Sequence, residues 1–382
     1  MRVGIDLTAL LPEPTGVDVA LKGLVHALAA IDHEDRYTVF VNYEDRRLFA
    51  GALGRNFTVA PLGLRARVAR LGFQQILLPA AARALGLDVL HSPSFIMPMV
   101  RGPQRHVLTI HDMTSFSLPE YHIPLRRSAP YRRAVLASIR RADLVTTPSR
   151  FVRDAVLRHV PDLAPERVRV VPWGIADDFR PRPEAEARRV LAHLGLPWPY
   201  VLFVGAIQPR KNLRGLLAAY GRLVGDGDIA EHLVLAGPLA WDYADVTAAC
   251  GATDLAGRVH LTGFVDPADL PWLYAGARLF AYCSFEEGFG FPPLEAMACG
   301  VPTVASRSSA LGENLEGAAE LVPADAPEVL ALAMRRLLTD ERAHARLRAL
   351  GPERAARFRW RETAARMREC YAVPSGDAGQ RT

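Results

Sequence analysis

Residues 279–305 read LFAYCSFEEGFGFPPLEAMACGVPTVA, and this stretch decides the fold. The apolar run Leu279–Cys283 predicts a buried strand, and Val301–Ala305 predicts a second. Between them, Pro292 and Pro293 suit a first helical turn, where a missing N–H costs nothing, and Gly300 suits the left-handed residue past the last turn. The order is strand, loop, helix, strand. In such a unit the loop lies beyond the carboxyl end of the first strand, and the helix start offers unpaired N–H groups and partial positive charge. An anion is welcome there.

Gly288 and Gly290 let the backbone turn sharply and approach a ligand closely. Two carboxylates flank them, Glu287 in the loop and Glu295 in the helix. A carboxylate accepts two hydrogen bonds at once, which suits the vicinal hydroxyls of a sugar or ribose. On these residues alone a second reading stands equally: Glu295 complements the helix dipole, and Glu286 and Glu287 are solvated loop charges.

The spacing and its neighbours resemble the motif of retaining glycosyltransferases of family 4 (group 1 type, mannosyltransferase-like), in which two glutamates eight positions apart bracket a glycine loop. The resemblance extends over nearly the whole chain. It implies an α/β protein of GT-B fold, two Rossmann-like domains facing across a cleft. By it, Glu287 faces the hydroxyls of a donor sugar and Glu295 holds the ribose. The segment Gly288, Phe289, Gly290 and Phe291 faces sugar and phosphates.

Other stretches fit the same expectation. Tyr200–Val204 predicts a strand ended by Gly205, and Leu213 opens an amphipathic helix. Arg210 and Lys211 lie between, where two long cations can reach both phosphates of a nucleoside diphosphate. Lys211 is one of two lysines among 46 basic residues, which argues against an arbitrary surface role. Their position resembles the family's diphosphate-binding pair, and Phe264 falls where the family contacts the nucleotide base. Arg105–Ile110 predicts a strand ending at His111 and Asp112, similar to the family's active-site histidine segment. There the imidazole or its backbone carbonyl contacts the sugar's 6-hydroxyl. Arg101, His122 and Glu313 have weaker claims.

Arg2–Asp6 predicts the first strand, with a helix from Val17 to Ile31 after a loop. Where the family carries a glycine pair facing donor phosphates, this chain has Gly16 alone; Asp18 stands in the second place, adding bulk and negative charge. Pro172–Gly174 marks the exit from the first domain. The expected division is 1–172 with the returning helix 358–372 for acceptor binding, 173–357 for donor binding, and a disordered tail 373–382.

Half of the 382 residues are hydrophobic, enough for two cores. Met1–Leu10 does not read as a signal peptide, and arginine and proline interrupt every apolar run short of the ~20 residues of a membrane helix. Four cysteines without a close pair predict buried thiols in a reducing, cytoplasmic compartment. The first 172 residues carry 23 basic and 15 acidic side chains, against 23 and 26 in the remainder. Arginines cluster at Arg126, Arg127, Arg132, Arg133, Arg140 and Arg141, and Arg65, Arg67 and Arg70 precede the apolar segment Phe73–Leu78. An anionic inner-membrane surface, an anionic acceptor and a plain solvated face all fit. Nucleic acid does not, because interleaved aromatics and a helix-turn-helix pattern are missing.

The expected activity is retaining transfer of a hexosyl group from a GDP- or UDP-linked donor to a glycan, lipid-linked or secondary-metabolite acceptor. By the resemblance neither cofactor nor metal is required. Two alternatives keep the same cradle, a nucleotide-sugar epimerase and a non-catalytic sugar-nucleotide sensor.

Overall fold

A computed structural model describes residues 1–11, 15–51, 53–63, 66–121, 125–240, 244–251 and 255–373. Arg65, His122 and the tail from Pro374 lie outside them. The chain divides into two compact units, Met1–Gly174 with Arg359–Thr382, and Ile175–Phe358.

The first unit is built on seven strands: β1 (Arg2–Asp6), β2 (Arg36–Asn42), β3 (Phe57–Leu62), β4 (Val89–Ser92), β5 (Arg105–Thr109), β6 (Leu144–Thr147) and β7 (Val168–Val170). They pair in parallel in the order β3-β2-β1-β4-β5-β6-β7. The second unit has six: β8 (Tyr200–Val204), β9 (His232–Ala236), β10 (Val259–Gly263), β11 (Leu279–Tyr282), β12 (Thr303–Ser306) and β13 (Glu320–Val322). Their order is β10-β9-β8-β11-β12-β13, again parallel. This is the α/β architecture expected. The central strands β4, β5, β6, β11 and β12 are buried along their whole length; β11 accordingly reads as a continuous apolar run rather than an alternating one, while β5 buries Arg105, His106 and Thr109 as well. At three residues, β13 is too short to carry a pattern of its own.

Strand order reverses beside β1 in one sheet and beside β8 in the other. Loops leaving adjacent strands at such a point diverge to opposite faces, opening a crevice at the carboxyl ends where ligands bind. In the second unit those loops follow β8 and β11. They carry Arg210 with Lys211, and Glu287.

Within the first unit, helix Gly16–Ile31 buries Leu21, Leu24, Val25 and Leu28 at helical spacing. The C-terminal helix Trp360–Ala372 packs against it. Gly23 makes the approach possible: a Cβ there would lie 2.2 Å from Cζ2 of Trp360. Gly174 has the same neighbour, the backbone nitrogen of Trp360 lying 2.2 Å from its would-be Cβ. Gly23→Ala should therefore destabilise the first unit by about 1–3 kcal/mol despite alanine's better helix propensity. Gly225→Ala, where nothing lies within 4 Å, should be neutral or slightly stabilising. Thermal unfolding of the two variants checks this, and equal melting temperatures would contradict the close packing on Trp360.

Candidate active site

Gly205 ends β8 with φ +151°, and the chain turns through a short 3-10 segment, Pro209–Lys211. Asn212 then takes a left-handed conformation, φ 53°, and caps helix Leu213–Gly225 by accepting from the Gly215 amide at 3.3 Å. Its amide also donates to the carbonyls of Cys283, at 3.2 Å, and Ala324, at 2.6 Å. Asn212 thus pins the loop after β8 to the end of β11. Sequence reading passed over it, although an asparagine directly before a helix's first leucine is an N-cap signal.

Glu287 is the centre to which this pinning leads. Its Oε1 accepts from Lys211 Nζ at 2.6 Å, Ser284 Oγ at 2.7 Å and Tyr282 OH at 3.0 Å. Its Oε2 lies 3.1 Å from the Arg210 guanidinium. Arg210 also donates to the Glu286 carbonyl, and the Glu287 amide donates to Ser309 Oγ at 2.9 Å. Ser309 sits at φ 62° and is the first residue of helix Ser309–Asn314, which follows β12. Lys211 Nζ also donates to Tyr282 OH at 2.6 Å. Lys211 is only 8 % exposed, so it is not a surface lysine. Burial pushes the Glu287 carboxyl up, but Arg210 and Lys211 outweigh it and hold the pKa at about 2. The carboxylate is ionised at neutral pH.

Gly290 has φ +92° and places Phe291 at the start of helix Phe291–Ala298, with both prolines in its first turn. Gly300 follows the helix with φ +74°, as expected. Phe289 is buried edge-on between Phe291 and Phe358, so its ring serves packing. Asn314 holds the Phe289 carbonyl at 2.7 Å. Glu295 is the fifth residue of the helix, beyond the first turn, which removes the dipole reading. Its Oε2 accepts from Tyr274 OH at 2.8 Å, and burial raises its pKa to about 7. Because this folded-state value lies above the carboxyl's ordinary one, the stability it lends is complete below about 4.5 and is lost as pH rises through about 7. Phe264 follows β10 and is 58 % exposed, an aromatic face open to a stacking partner.

In the first unit, His111 follows β5 and is buried. Its Nε2 lies 2.7 Å from the Pro93 carbonyl, which can only accept, so Nε2 carries the proton. The ring stacks on Trp173 at 5.5 Å and 22° and touches Phe95, whose φ is 66°. Burial lowers its pKa below the usual imidazole value, so it is neutral at pH 7. Asp112 accepts from the Thr114 amide and hydroxyl at 3.0 and 2.6 Å.

Gly16 begins helix Gly16–Ile31. Asp18 keeps the negative charge its place in the sequence suggested, and that charge reaches His111. Its carboxylate turns back onto the Leu11 amide at 3.0 Å, the Thr15 amide at 2.7 Å and the Thr15 hydroxyl at 2.6 Å, a capping interaction. Arg101 pairs with Asp143, and Arg354 donates to the Glu313 carbonyl. Asp226 and Asp228 have the spacing of an Asp-x-Asp metal motif, but both carboxylates pair with Arg335, at 2.5 and 2.7 Å.

Residues 14–179 match the family model described as Glycosyltransferase Family 4, and 198–340 match Glycosyl transferases group 1. An O-antigen chain mannosyltransferase B of Escherichia coli is 35% identical over 273 residues, 71% of this chain and 71% of that protein. The chain belongs to glycosyltransferase family 4. A serotype-specific mannosyltransferase of Escherichia coli is 29% identical over 72% of this family 4 chain and 34% of its own greater length. Among solved structures, sucrose-phosphate synthase of Thermosynechococcus elongatus superposes with TM-score 0.77 at 23% identity, covering 97% of this chain and 98% of that one. HepE of Anabaena in complex with UDP-glucose gives 0.77 at 19%, covering 97% and 99%. These two likenesses are of fold. The protein is a glycosyltransferase of GT-B architecture.

Sequence reading expected the cations to serve phosphate and Glu287 to serve sugar. Their shared ion pair couples them. Glu287→Gln should leave buried Lys211 without an anionic partner at a cost of about 3–5 kcal/mol, Lys211→Ala should cost less because Arg210 still pairs with Glu287, and the double variant should cost clearly less than the sum. Urea unfolding of the four proteins measures the coupling; strictly additive losses would dissolve the cluster into independent residues.

Proposed function

We propose that this family 4 enzyme transfers a hexosyl group, mannose foremost, from a nucleoside diphosphate sugar to a glycan acceptor with retention of anomeric configuration. The observation that carries the proposal is the Arg210–Lys211–Glu287 cluster at the carboxyl ends of β8 and β11. The names of the mannosyltransferase relatives support the choice of sugar. In the proposed reaction the bond from the sugar's anomeric carbon to the diphosphate oxygen breaks, and the acceptor oxygen bonds to that carbon on the same face. The acceptor proton passes to the departing diphosphate. Arg210, Lys211 and the amides at the start of helix Phe291–Ala298 meet the charge that builds on the leaving group, without metal or other cofactor.

Glu287, Gly288 and Gly290 are assigned to the sugar side, Glu295 to the ribose, Gly205 to close backbone approach and Phe264 to the base. The His111 imidazole donates through Nε2 to Pro93, which leaves Nδ1 and the backbone carbonyl as acceptors for a sugar hydroxyl. Gly16 is assigned to the phosphate side of the first unit.

Release of nucleoside diphosphate from GDP-, UDP- and dTDP-sugars, with and without glycan acceptors, tests the reading. GDP-mannose should turn over at least tenfold faster than the others, and faster still with acceptor. Epimer formation without diphosphate release would make the protein an epimerase, and binding without turnover would make it a sensor.

Peripheral docking on an anionic membrane belongs to the same proposal. Among the described residues no helix is long and apolar enough to cross a membrane. In the segment Phe73–Leu78, Phe73 and Leu78 face the core, while Ile76 and Leu77 are 70% and 58% exposed beside Arg70. Co-sedimentation with anionic vesicles should fall with added salt and with Ile76→Ser/Leu77→Ser. Equal sedimentation with neutral and anionic vesicles at low salt would remove the membrane from the proposal.

A further inference from the structure

A cavity of about 1000 Å³ opens in the first unit at the amino ends of β1, β2 and β3. Ligands of such folds bind at the carboxyl ends, so this cavity is no part of the site described above. Arg2 pairs in register with Arg36, and Thr38 with Thr58, and the period of two puts all four on one face of the sheet. Parallel sheets are ordinarily covered on both faces, yet here Arg36 and Thr58 are exposed. Gly4 lies on the same face, where Leu87 closes the inner end of the groove; a Cβ on Gly4 would meet Leu87 at 2.4 Å.

Arg2, Arg36 and Arg55 all line the cavity, with Glu34 as the carboxylate among its lining residues. The guanidinium groups of Arg36 and Arg55 have no partner among the described residues, and Arg2 reaches the Leu85 carbonyl at a long 3.4 Å. The carboxylates behind the groove are engaged elsewhere. Asp35 binds the N-terminal amine at 2.5 Å, Asp32 accepts from Tyr37 OH at 2.7 Å, and Asp88 accepts from the Arg2 amide at 2.7 Å. Three guanidinium forks, with the hydroxyls of Thr38 and Thr58, which have no hydrogen-bond partner among the described residues, form a surface matched to phosphate, sulfate or carboxylate oxygens. The volume exceeds what a single small anion fills.

We propose that this groove is a second ligand site, taking a multivalent anion on Arg2, Arg36 and Arg55. The chemistry is shared by a small free polyanion and a charged segment of glycan. Calorimetric titration of the full chain with inorganic pyrophosphate and with a sulfated heparin-type hexasaccharide tests it. Arg36→Gln/Arg55→Gln should weaken binding of at least one probe tenfold or more, while leaving melting temperature and donor turnover unchanged. Loss for pyrophosphate identifies a small polyanion, and loss for the hexasaccharide alone identifies a charged glycan. Superimposable titrations of wild type and variant with both probes would overturn the proposal. Donor turnover is measured separately, so this site and the assigned transferase activity fail independently.

Discussion

The second unit's site depends on one ion pair, Lys211 with Glu287, closed by Arg210 on the second carboxylate oxygen. A buried carboxylate alone is costly, and so is a buried ammonium. Each makes the other tolerable, with Tyr282 and Ser284 supplying further donors to the same oxygen. The pair also welds two loops that leave different strands. Sheet topology brings those loops together at the order reversal beside β8, and Asn212 and Ser309 fix their backbones from either side.

Such a cluster is held ready rather than neutralised for its own sake. Replacing a buried ion pair by apolar side chains of similar volume is often neutral or stabilising, so stability alone does not call for this one. Two cations and one anion leave a net positive charge, and the helix Phe291–Ala298 adds the partial charge of its N-terminus. Net positive charge at the mouth of a parallel-sheet crevice suits an anion, in keeping with the phosphate role proposed for it.

How much of this the chain discloses differs from residue to residue. Tyr200–Val204 and Leu279–Tyr282 are legible as strands because burial on both faces writes a continuous apolar run. The helix after Gly290 is legible because its prolines and Gly300 mark its two ends. The contact between Lys211 and Glu287 is not: 76 positions separate them, and nothing local records which donor will reach which oxygen. Tyr282 and Ser284 stood inside the decisive stretch and still went unnamed, since a tyrosine in an apolar run reads as core and a serine after it as loop. Asp18 is half legible. Its charge can be read from the sequence, whereas its hydrogen bonds to Thr15 and the Leu11 amide, which fix where the carboxylate sits, cannot.

The two glutamates of one motif end with opposite character, and the reason is what stands beside them. Both are taken from water, which raises a carboxyl's pKa; Glu287 has two cations within reach and falls to about 2, while Glu295 has one phenol and rises to about 7. In the assigned roles this difference has a use. A diphosphate arriving at Arg210 and Lys211 competes with Glu287 for the same cations, so the anion that prepared the cradle loses part of its compensation as the donor settles. Sugar hydroxyls donating to Glu287 replace what it loses. Hydroxyls of a ribose donating to Glu295 favour its ionised form, drawing that carboxyl down as the donor seats. Under the proposed roles, phosphate, sugar and ribose would bind as one linked event, because each changes the charge balance that the others meet.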